Sequence, residues 1–327
     1  MPPVDRNQPK RAKSSESSYS LMEFMREFPD DAACLDYLWR ERYAPDGEHA
    51  YCPRCAKVRS FKRYEGKTRT RQVWTCTSCS FQLSPTAGTI FHKSSTSLHL
   101  WFYAMWIITS TRCGVSAKQL ERELGVTYKT AWRMFNLIRN SLMAQDYQGP
   151  LSGEVEADET WVGGKLREGE KRRLAAEARA QGKPRPSGQY VKDRPCVFAM
   201  VERGGRVRAQ VMPGKRYGYP LRHALRTFVL PDSIVYTDEF GGYTGLGQRF
   251  THHRINHSER IYVSGDVHTQ TIEGFFGLFK NGVRGVYHSV SRKWLQGYLN
   301  EYAWRYNHRA DPVAQFRRLL KRAAFTS

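Results

Sequence analysis

The chain has 327 residues, 40% of them hydrophobic and 13% aromatic, a composition that excludes a disordered polypeptide and leaves room for two or three domains with cores of their own. Its 52 Lys and Arg against 31 Asp and Glu give a formal net charge of +21. Solubility needs far less, so the surplus implies a polyanionic partner whose phosphates such a surface neutralises. The most apolar helical stretch, residues 98–108, falls well short of the roughly 18 residues of a membrane span. Lys10, Arg11 and Lys13 are not followed by the apolar run of a signal peptide. Seven cysteines, an odd count with two tight pairs, argue against a secreted disulfide scaffold and for the reducing cytoplasm.

Residues 1–18 read as a disordered basic tail and residues 19–50 as a helical segment. Leu21, Phe24, Met25 and Phe28, then Cys34, Leu35, Leu38 and Trp39, predict one or two helices broken near Pro29. Residues 51–92 read as a zinc ribbon. Cys52-Pro-Arg-Cys55 and Cys76-Thr-Ser-Cys79, twenty residues apart, put two thiolates on each of two knuckles, which predicts one structural Zn²⁺ in a closed tetrahedral site. A module this small gains much of its folding free energy from the metal. Lys57, Arg59, Lys62, Arg63, Lys67, Arg69 and Arg71 crowd the intervening hairpin, with Tyr64 and Trp74 among them, as on a DNA-binding face or a solvated basic surface. Cys34, Cys113 and Cys196 are isolated and read as buried small hydrophobes.

Residues 97–145 read as a helix-turn-helix. Ser116 starts one helix, Leu120 and Leu124 stripe it, and Gly125 ends it; Thr127 caps the next. Ala131, Met134, Phe135 and Ile138 face inward there, leaving Tyr128, Lys129, Thr130 and Arg133 to meet bases or phosphates in a major groove. An ordinary helical hairpin is the alternative.

After Gly149-Pro150, residues 151–310 alternate between strands (154–158, 196–202, 206–212 and 233–237) and helices (220–229, 271–280 and 292–306), which predicts a mixed α/β sheet flanked by helices. Residues 165–194, ten basic and four acidic, interrupt it as a flexible insertion that either clamps DNA or is a solvated loop; residues 311–327 read as a C-terminal tail.

Three acids stand where this pattern holds side chains rigidly. Asp158 and Asp238 each end an apolar strand, and Glu273 lies on a helix whose Ile272, Phe275, Phe276 and Phe279 form the buried face. Lys280 shares a face with Glu273, and Gly277 between them lets a DNA backbone come close. Phosphodiester chemistry uses such carboxylates to hold two hard ions about 4 Å apart, Mg²⁺ or Mn²⁺. Glu156, on the same strand face as Asp158, is its best substitute. Glu159 and Glu239 neighbour the chosen acids, and Asp266 and Glu301 are rivals for the third. The spacing of His252, His253, His257 and His268 matches no common metal site, so they read as loop histidines. Arg305, Asn307 and Arg309 either grip phosphate or cap the last helix.

Thirty-four residues separate Asp238 from Glu273, and Lys280 follows the Glu by seven. This resembles the Asp-Asp-Glu pattern of DDE transposases and retroviral integrases, and most closely bacterial insertion-sequence transposases with an N-terminal zinc ribbon. The phrases Val155-Glu-Ala-Asp-Glu-Thr-Trp-Val-Gly-Gly164, His268-Thr-Gln-Thr-Ile-Glu273, Arg284-Gly-Val-Tyr-His-Ser-Val-Ser291 and Trp304-Arg-Tyr-Asn-His-Arg309 carry the likeness over residues 20–310. The resemblance implies a ribonuclease H-like catalytic domain with Asp158, Asp238 and Glu273 as metal ligands and Lys280 as a DNA contact. It also implies an oligomer that binds the ends of a mobile element, hydrolyses the phosphodiester there and joins the 3′-hydroxyl to target DNA at the nucleoid. A silent DNA-binding regulator and a plain nuclease of the same fold are the competing activities.

Overall fold

The computed structural model describes residues 19–64, 73–111, 113–144, 149–163, 168–182, 195–213, 218–255, 269–310 and 314–326. The expected tail over residues 1–18, together with Lys67, Arg69, Arg71, Lys165, His257, Asp266 and His268, lies outside the described residues. The chain divides into two units, residues 1–143 with 308–327, and residues 144–307. In chain order the elements are α1 (Leu21–Glu27), α2 (Asp31–Arg42), β1 (His49–Cys52), β2 (Lys57–Arg63), β3 (Trp74–Cys76), β4 (Gln82–Leu83), α3 (Leu98–Ser110), α4 (Ala117–Leu124) and α5 (Tyr128–Leu137). The second unit follows with β5 (Glu154–Trp161), α6 (Glu168–Ala180), β6 (Cys196–Glu202), β7 (Val207–Val211), α7 (Gly218–Phe228), β8 (Ile234–Asp238), β9 (Thr251–Ile255), α8 (Gln270–Gly282) and α9 (Leu295–Asn307), and α10 (Gln315–Phe325) closes the chain.

In the first unit the break near Pro29 is explicit: Asp30 caps α2 by accepting the Ala33 N–H at 2.8 Å. Phe24 and Phe28 gather rings from α3 and α10, Phe28 meeting Phe102 at 5.1 Å and Phe24 meeting Phe316 at 5.6 Å. Residues 311–327, expected as a tail, therefore contain a packed helix: Phe316, Leu319, Leu320, Ala323 and Ala324 are buried, and α10 lies on α2 and α3. Strands β1 to β4 form an antiparallel sheet in sequence order. It leans on α2 through Trp39, which stacks on Trp74 at 4.7 Å and 7° and touches Phe61 at 5.6 Å. Trp74 is thus core and not part of a DNA face. Of the basic residues assigned to that face, Lys57, Arg59, Lys62 and Arg63 are exposed, with Tyr64 beside them.

Helices α4 and α5 meet around Gly125, whose φ of +62° is the left-handed conformation that ends α4 without a Cβ penalty. Thr127 caps α5 by accepting the Thr130 N–H. Ala131, Met134, Phe135 and Ile138 are buried as expected, while Tyr128, Lys129 and Arg133 are exposed and Thr130 is half-buried.

The second unit is built on a five-stranded mixed sheet of order β7-β6-β5-β8-β9. β5 is antiparallel to β6 and parallel to β8, and β8 is parallel to β9. One face carries Val155, Ala157, Phe198, Met200 and Val235 against Leu221, Ala224 and Leu225 of α7. The other receives α8, which packs on β5 and β6, while α9 packs on β7. Two amides of α9 close the otherwise bare edge of β7: Gln296 accepts the Val211 N–H at 2.8 Å, and Asn307 accepts the Val207 N–H at 2.7 Å and donates to its carbonyl at 3.0 Å. Arg305 and Glu301 are buried and paired at 2.7 Å. Asn307, Arg305 and Glu301 are therefore structural, which removes the first two as a phosphate grip and the third as a rival ligand.

Three expectations are corrected here. β5 runs three residues past Asp158, because Thr160 and Trp161 pair with Val197 and Cys196. His252 and His253 are on strand β9, not in a loop: His252 Nε2 lies 2.9 Å from Thr237 Oγ1, and burial holds the imidazole down at about 4. The insertion is helical over Glu168–Ala180.

Helices α8 and α9 approach so closely at Gly282 that a Cβ there would stand 1.6 Å from the hydroxyl oxygen of buried Tyr302. Gly282→Ala should cost roughly 1–3 kcal/mol by overpacking. Gly277→Ala, whose Cβ meets open space, should gain up to about 1 kcal/mol from helix propensity. Thermal denaturation of the two variants reads opposite shifts in Tm; equal shifts would contradict this packing.

Candidate functional site

Asp158 and Asp238 are brought together by strand register. β5 and β8 pair in parallel, with Glu156 opposite Tyr236 as the last registered pair, and each Asp lies two residues further on. Side chains two apart on a strand share a face, so the two carboxylates stand side by side on the face that receives α8. The Asp238 carboxylate accepts the Phe240 N–H at 3.0 Å, and that of Asp158 accepts the Glu159 N–H at 2.7 Å, which fixes their orientation.

Helix α8 supplies the other two groups. Ile272, Phe275, Phe276 and Phe279 are buried, leaving Glu273 exposed and Lys280 half-buried one face round. Burial, together with the like charges of Asp238 and Glu273, pushes the Asp158 carboxyl up to about 6, against the opposite pull of the Glu159 N–H and Lys280. The Lys280 ammonium is lowered, chiefly by burial. All four side chains therefore lie within one electrostatic neighbourhood. Three hard oxygen donors gathered in one place suit divalent cations with carboxylate and water ligands.

Each neighbouring acid has a different setting. Glu159 points to the α7 face, where the buried Tyr243 hydroxyl donates to it; burial lifts its carboxyl to about 7. It ties β5 to the turn that follows Asp238. Glu156 is on the Asp158 face, yet it is wholly buried and accepts hydrogen bonds from Thr271, Ile272 and Arg203. Glu239 follows Asp238 and is exposed. Tyr243, Thr271 and Arg203 had no signal in local sequence, because each acts on a carboxylate far away in the chain.

The second candidate centre is in the first unit. The sulfurs of Cys52, Cys55, Cys76 and Cys79 all lie within 4.8 Å of one another, with Cys52 to Cys79 at 3.5 Å and Cys55 to Cys76 at 4.0 Å. Tetrahedral zinc with Zn–S near 2.3 Å asks for sulfurs about 3.8 Å apart, so the four thiols fit the ion. Ala56 and Ser80, the residues after each pair, have φ of +49° and +61°. Both residues hold a left-handed conformation that non-glycine residues rarely adopt. Although burial opposes it, the N–H groups of Ser78 and Cys79 bring the Cys76 thiol down to about 7, while a hydrogen bond with Cys79 and burial push the Cys55 thiol up to about 12. Of the other cysteines, Cys34 and Cys196 are buried as expected, and burial lifts the Cys196 thiol to about 12; Cys113 is exposed, contrary to expectation.

No helix among the described residues is long and apolar enough to cross a membrane. The ISXO2-like transposase domain matches residues 150–307, nearly the whole second unit. An uncharacterized protein in the transposable element ISH50 of Halobacterium salinarum is 33% identical over 266 residues, which cover 78% of this chain and 84% of that protein. An uncharacterized transposase-like protein of Haemophilus influenzae is 34% identical over 90 residues, 26% of this chain and 68% of its own length. Homology over both units, together with a carboxylate cluster on a mixed sheet, leads to one assignment: the chain belongs to the insertion-sequence transposases, with an ISXO2-like transposase domain in its second unit.

Proposed function

We propose that this transposase is an active DDE enzyme with a ribonuclease H-like catalytic unit, in which Asp158, Asp238 and Glu273 hold the catalytic metal ions. The observation that carries the reading is the register of β5 and β8, which sets two aspartates abreast on the face that receives Glu273. The sheet order, with three antiparallel strands followed by two parallel ones, fits that fold. Two Mg²⁺ or Mn²⁺ ions bound there would neutralise charge on the attacking and leaving oxygens of a phosphodiester.

The chain's own residues do the rest. The aspartates are locked by backbone N–H groups, so little reorganisation accompanies reaction. Gly274 and Gly277 leave the outward face of α8 smooth between Glu273 and Lys280, where an added Cβ would meet only open space. A DNA backbone laid along that face meets Lys280, whose ammonium draws a phosphate toward Asp158. Water is the nucleophile at the element's end, and the freed 3′-hydroxyl is the nucleophile on target DNA. The zinc ribbon and the α4–α5 pair, acting as a helix-turn-helix, read the ends, and a homo-oligomer at the nucleoid brings two ends together.

Incubation of the full chain with an end-containing duplex, target plasmid and Mg²⁺ tests the reading. Nicked and joined products are expected. A nuclease yields no joined product, and a silent regulator yields neither.

On α5, Arg133 and Lys129 are exposed, and Tyr128 lies under the Lys118 ammonium at 4.8 Å. Arg133→Ala should weaken end binding and, where the arginine reads a base, cost about 1–3 kcal/mol of specificity. Competition between end and random duplexes measures this; unchanged selectivity and affinity would remove α5 as the reader.

A further inference from the structure

We propose that Glu156 is a positioning residue: its buried carboxylate clamps the N-terminus of α8 onto β5 and so sets where Glu273 stands relative to Asp158 and Asp238. This rests on the reading of Glu273 as the third metal ligand.

The first turn of a helix has N–H groups with no partner inside the helix, and a side chain at the N-cap usually serves them. In α8 the N-cap Thr269 makes no such hydrogen bond. Glu156 does so from the sheet, 116 residues away in sequence. Its Oε2 accepts the Ile272 N–H at 3.0 Å, and its Oε1 accepts the Thr271 hydroxyl at 2.9 Å. Ile272 is the third residue of α8, the position an ordinary cap serves, and Glu273 is the next residue. A negative charge there also meets the positive end of the helix dipole.

The clamp is itself held. Arg203, the residue that follows β6, donates to Glu156 Oε1 at 2.8 Å, and its guanidinium lies over the Tyr236 ring at 4.1 Å. Tyr236 is registered opposite Glu156 and precedes Asp238 by two residues on the same face. One buried cluster therefore touches all three elements that carry the acids: β5, β8 and α8. A buried ion pair is weak evidence for stability, since an apolar replacement of similar volume often does as well. What charge-assisted hydrogen bonds supply is direction. A displacement of about 1 Å is enough to spoil an arrangement of ligands and reacting oxygens.

The test titrates Mn²⁺ into the zinc-loaded full chain bound to an end duplex, following free Mn²⁺ by electron paramagnetic resonance, with thermal melts in parallel. Glu156→Gln should weaken Mn²⁺ binding by about tenfold, the lower end of what outer-shell partners of metal ligands contribute. Thr271→Val, which deletes one hydroxyl, should weaken it severalfold with little change in Tm. Cleavage by both should recover at high metal concentration, whereas cleavage by Glu273→Gln should not. Unchanged Mn²⁺ affinity in Thr271→Val and in folded Glu156→Gln overturns the proposal, as does a loss of rate that metal does not restore. If Glu156→Gln fails to fold, the Thr271→Val titration decides. Normal Mn²⁺ affinity and cleavage in Glu273→Gln would instead overturn the underlying ligand assignment.

Discussion

Asp158→Asn, Asp238→Asn and Glu273→Gln should each slow single-turnover cleavage of an end-containing duplex by on the order of 10²–10³-fold or more, the scale on which loss of one transition-state stabilising group is felt. Each keeps the shape of its side chain and removes one negative charge. Burial and the like charges of Asp238 and Glu273 already lift the Asp158 carboxyl to about 6, so the cluster is poised for compensation by cations, and one charge fewer weakens their hold. Fold and end binding should be near normal. The aspartates' backbone contacts are N–H groups donating to a side-chain oxygen, which an amide oxygen also accepts. The losses should be far from additive, because the three side chains act as a unit. Lys280→Ala should be milder and should fall off less steeply with salt than wild type, since it removes a phosphate contact and no ligand. Rapid-quench kinetics on the single and double variants check this; a double variant that loses the product of the single losses would contradict a shared site.

Cys76→Ser should abolish selective end binding while leaving residues 144–307 folded. Structural zinc contributes about 10–16 kcal/mol in small zinc-dependent peptides, and this four-stranded sheet has little apolar core apart from Trp74 and Phe61 under Trp39. With one ligand gone, both knuckles lose their reason to hold left-handed Ala56 and Ser80. The exposed row of Lys57, Arg59, Lys62 and Arg63 on β2 would then lose its fixed geometry. Zinc content, limited proteolysis and end-versus-random competition measure the outcome. Protein purified without zinc and binding ends normally would refute the centre.

Much of this was readable from local sequence. The paired cysteines, the apolar strands leading to Asp158 and Asp238, and the Ile272, Phe275, Phe276, Phe279 stripe are short-range patterns that report a knuckle, a strand and a helix face directly. The glycine turn of α4 and α5 is of the same kind. What stayed hidden depended on partners distant in sequence. Thr251-His-His-Arg-Ile255 lacks the apolar alternation of a strand, because β9 is an edge strand whose pairing with β8 makes it one. Trp74 looked like a surface aromatic among basic residues, and only α2 shows it to be buried under Trp39. Residues 315–325 carry a clear apolar stripe, yet nothing near them tells that its cover is the N-terminal helices. Glu156 shares the face of Asp158, as alternation requires; the helix cap and arginine that distinguish the two come from residues 203, 271 and 272.

If one set of carboxylates serves both DNA cleavage and joining, strand transfer from a precut end must depend on the same three acids. A duplex bearing a free 3′-hydroxyl bypasses hydrolysis, so joining to target plasmid in Mg²⁺ reports the second step alone. Wild-type protein should give joined product, and Asp238→Asn, bound to the same duplex with unchanged affinity, should give none. Joining by Asp238→Asn at the wild-type rate would contradict the account.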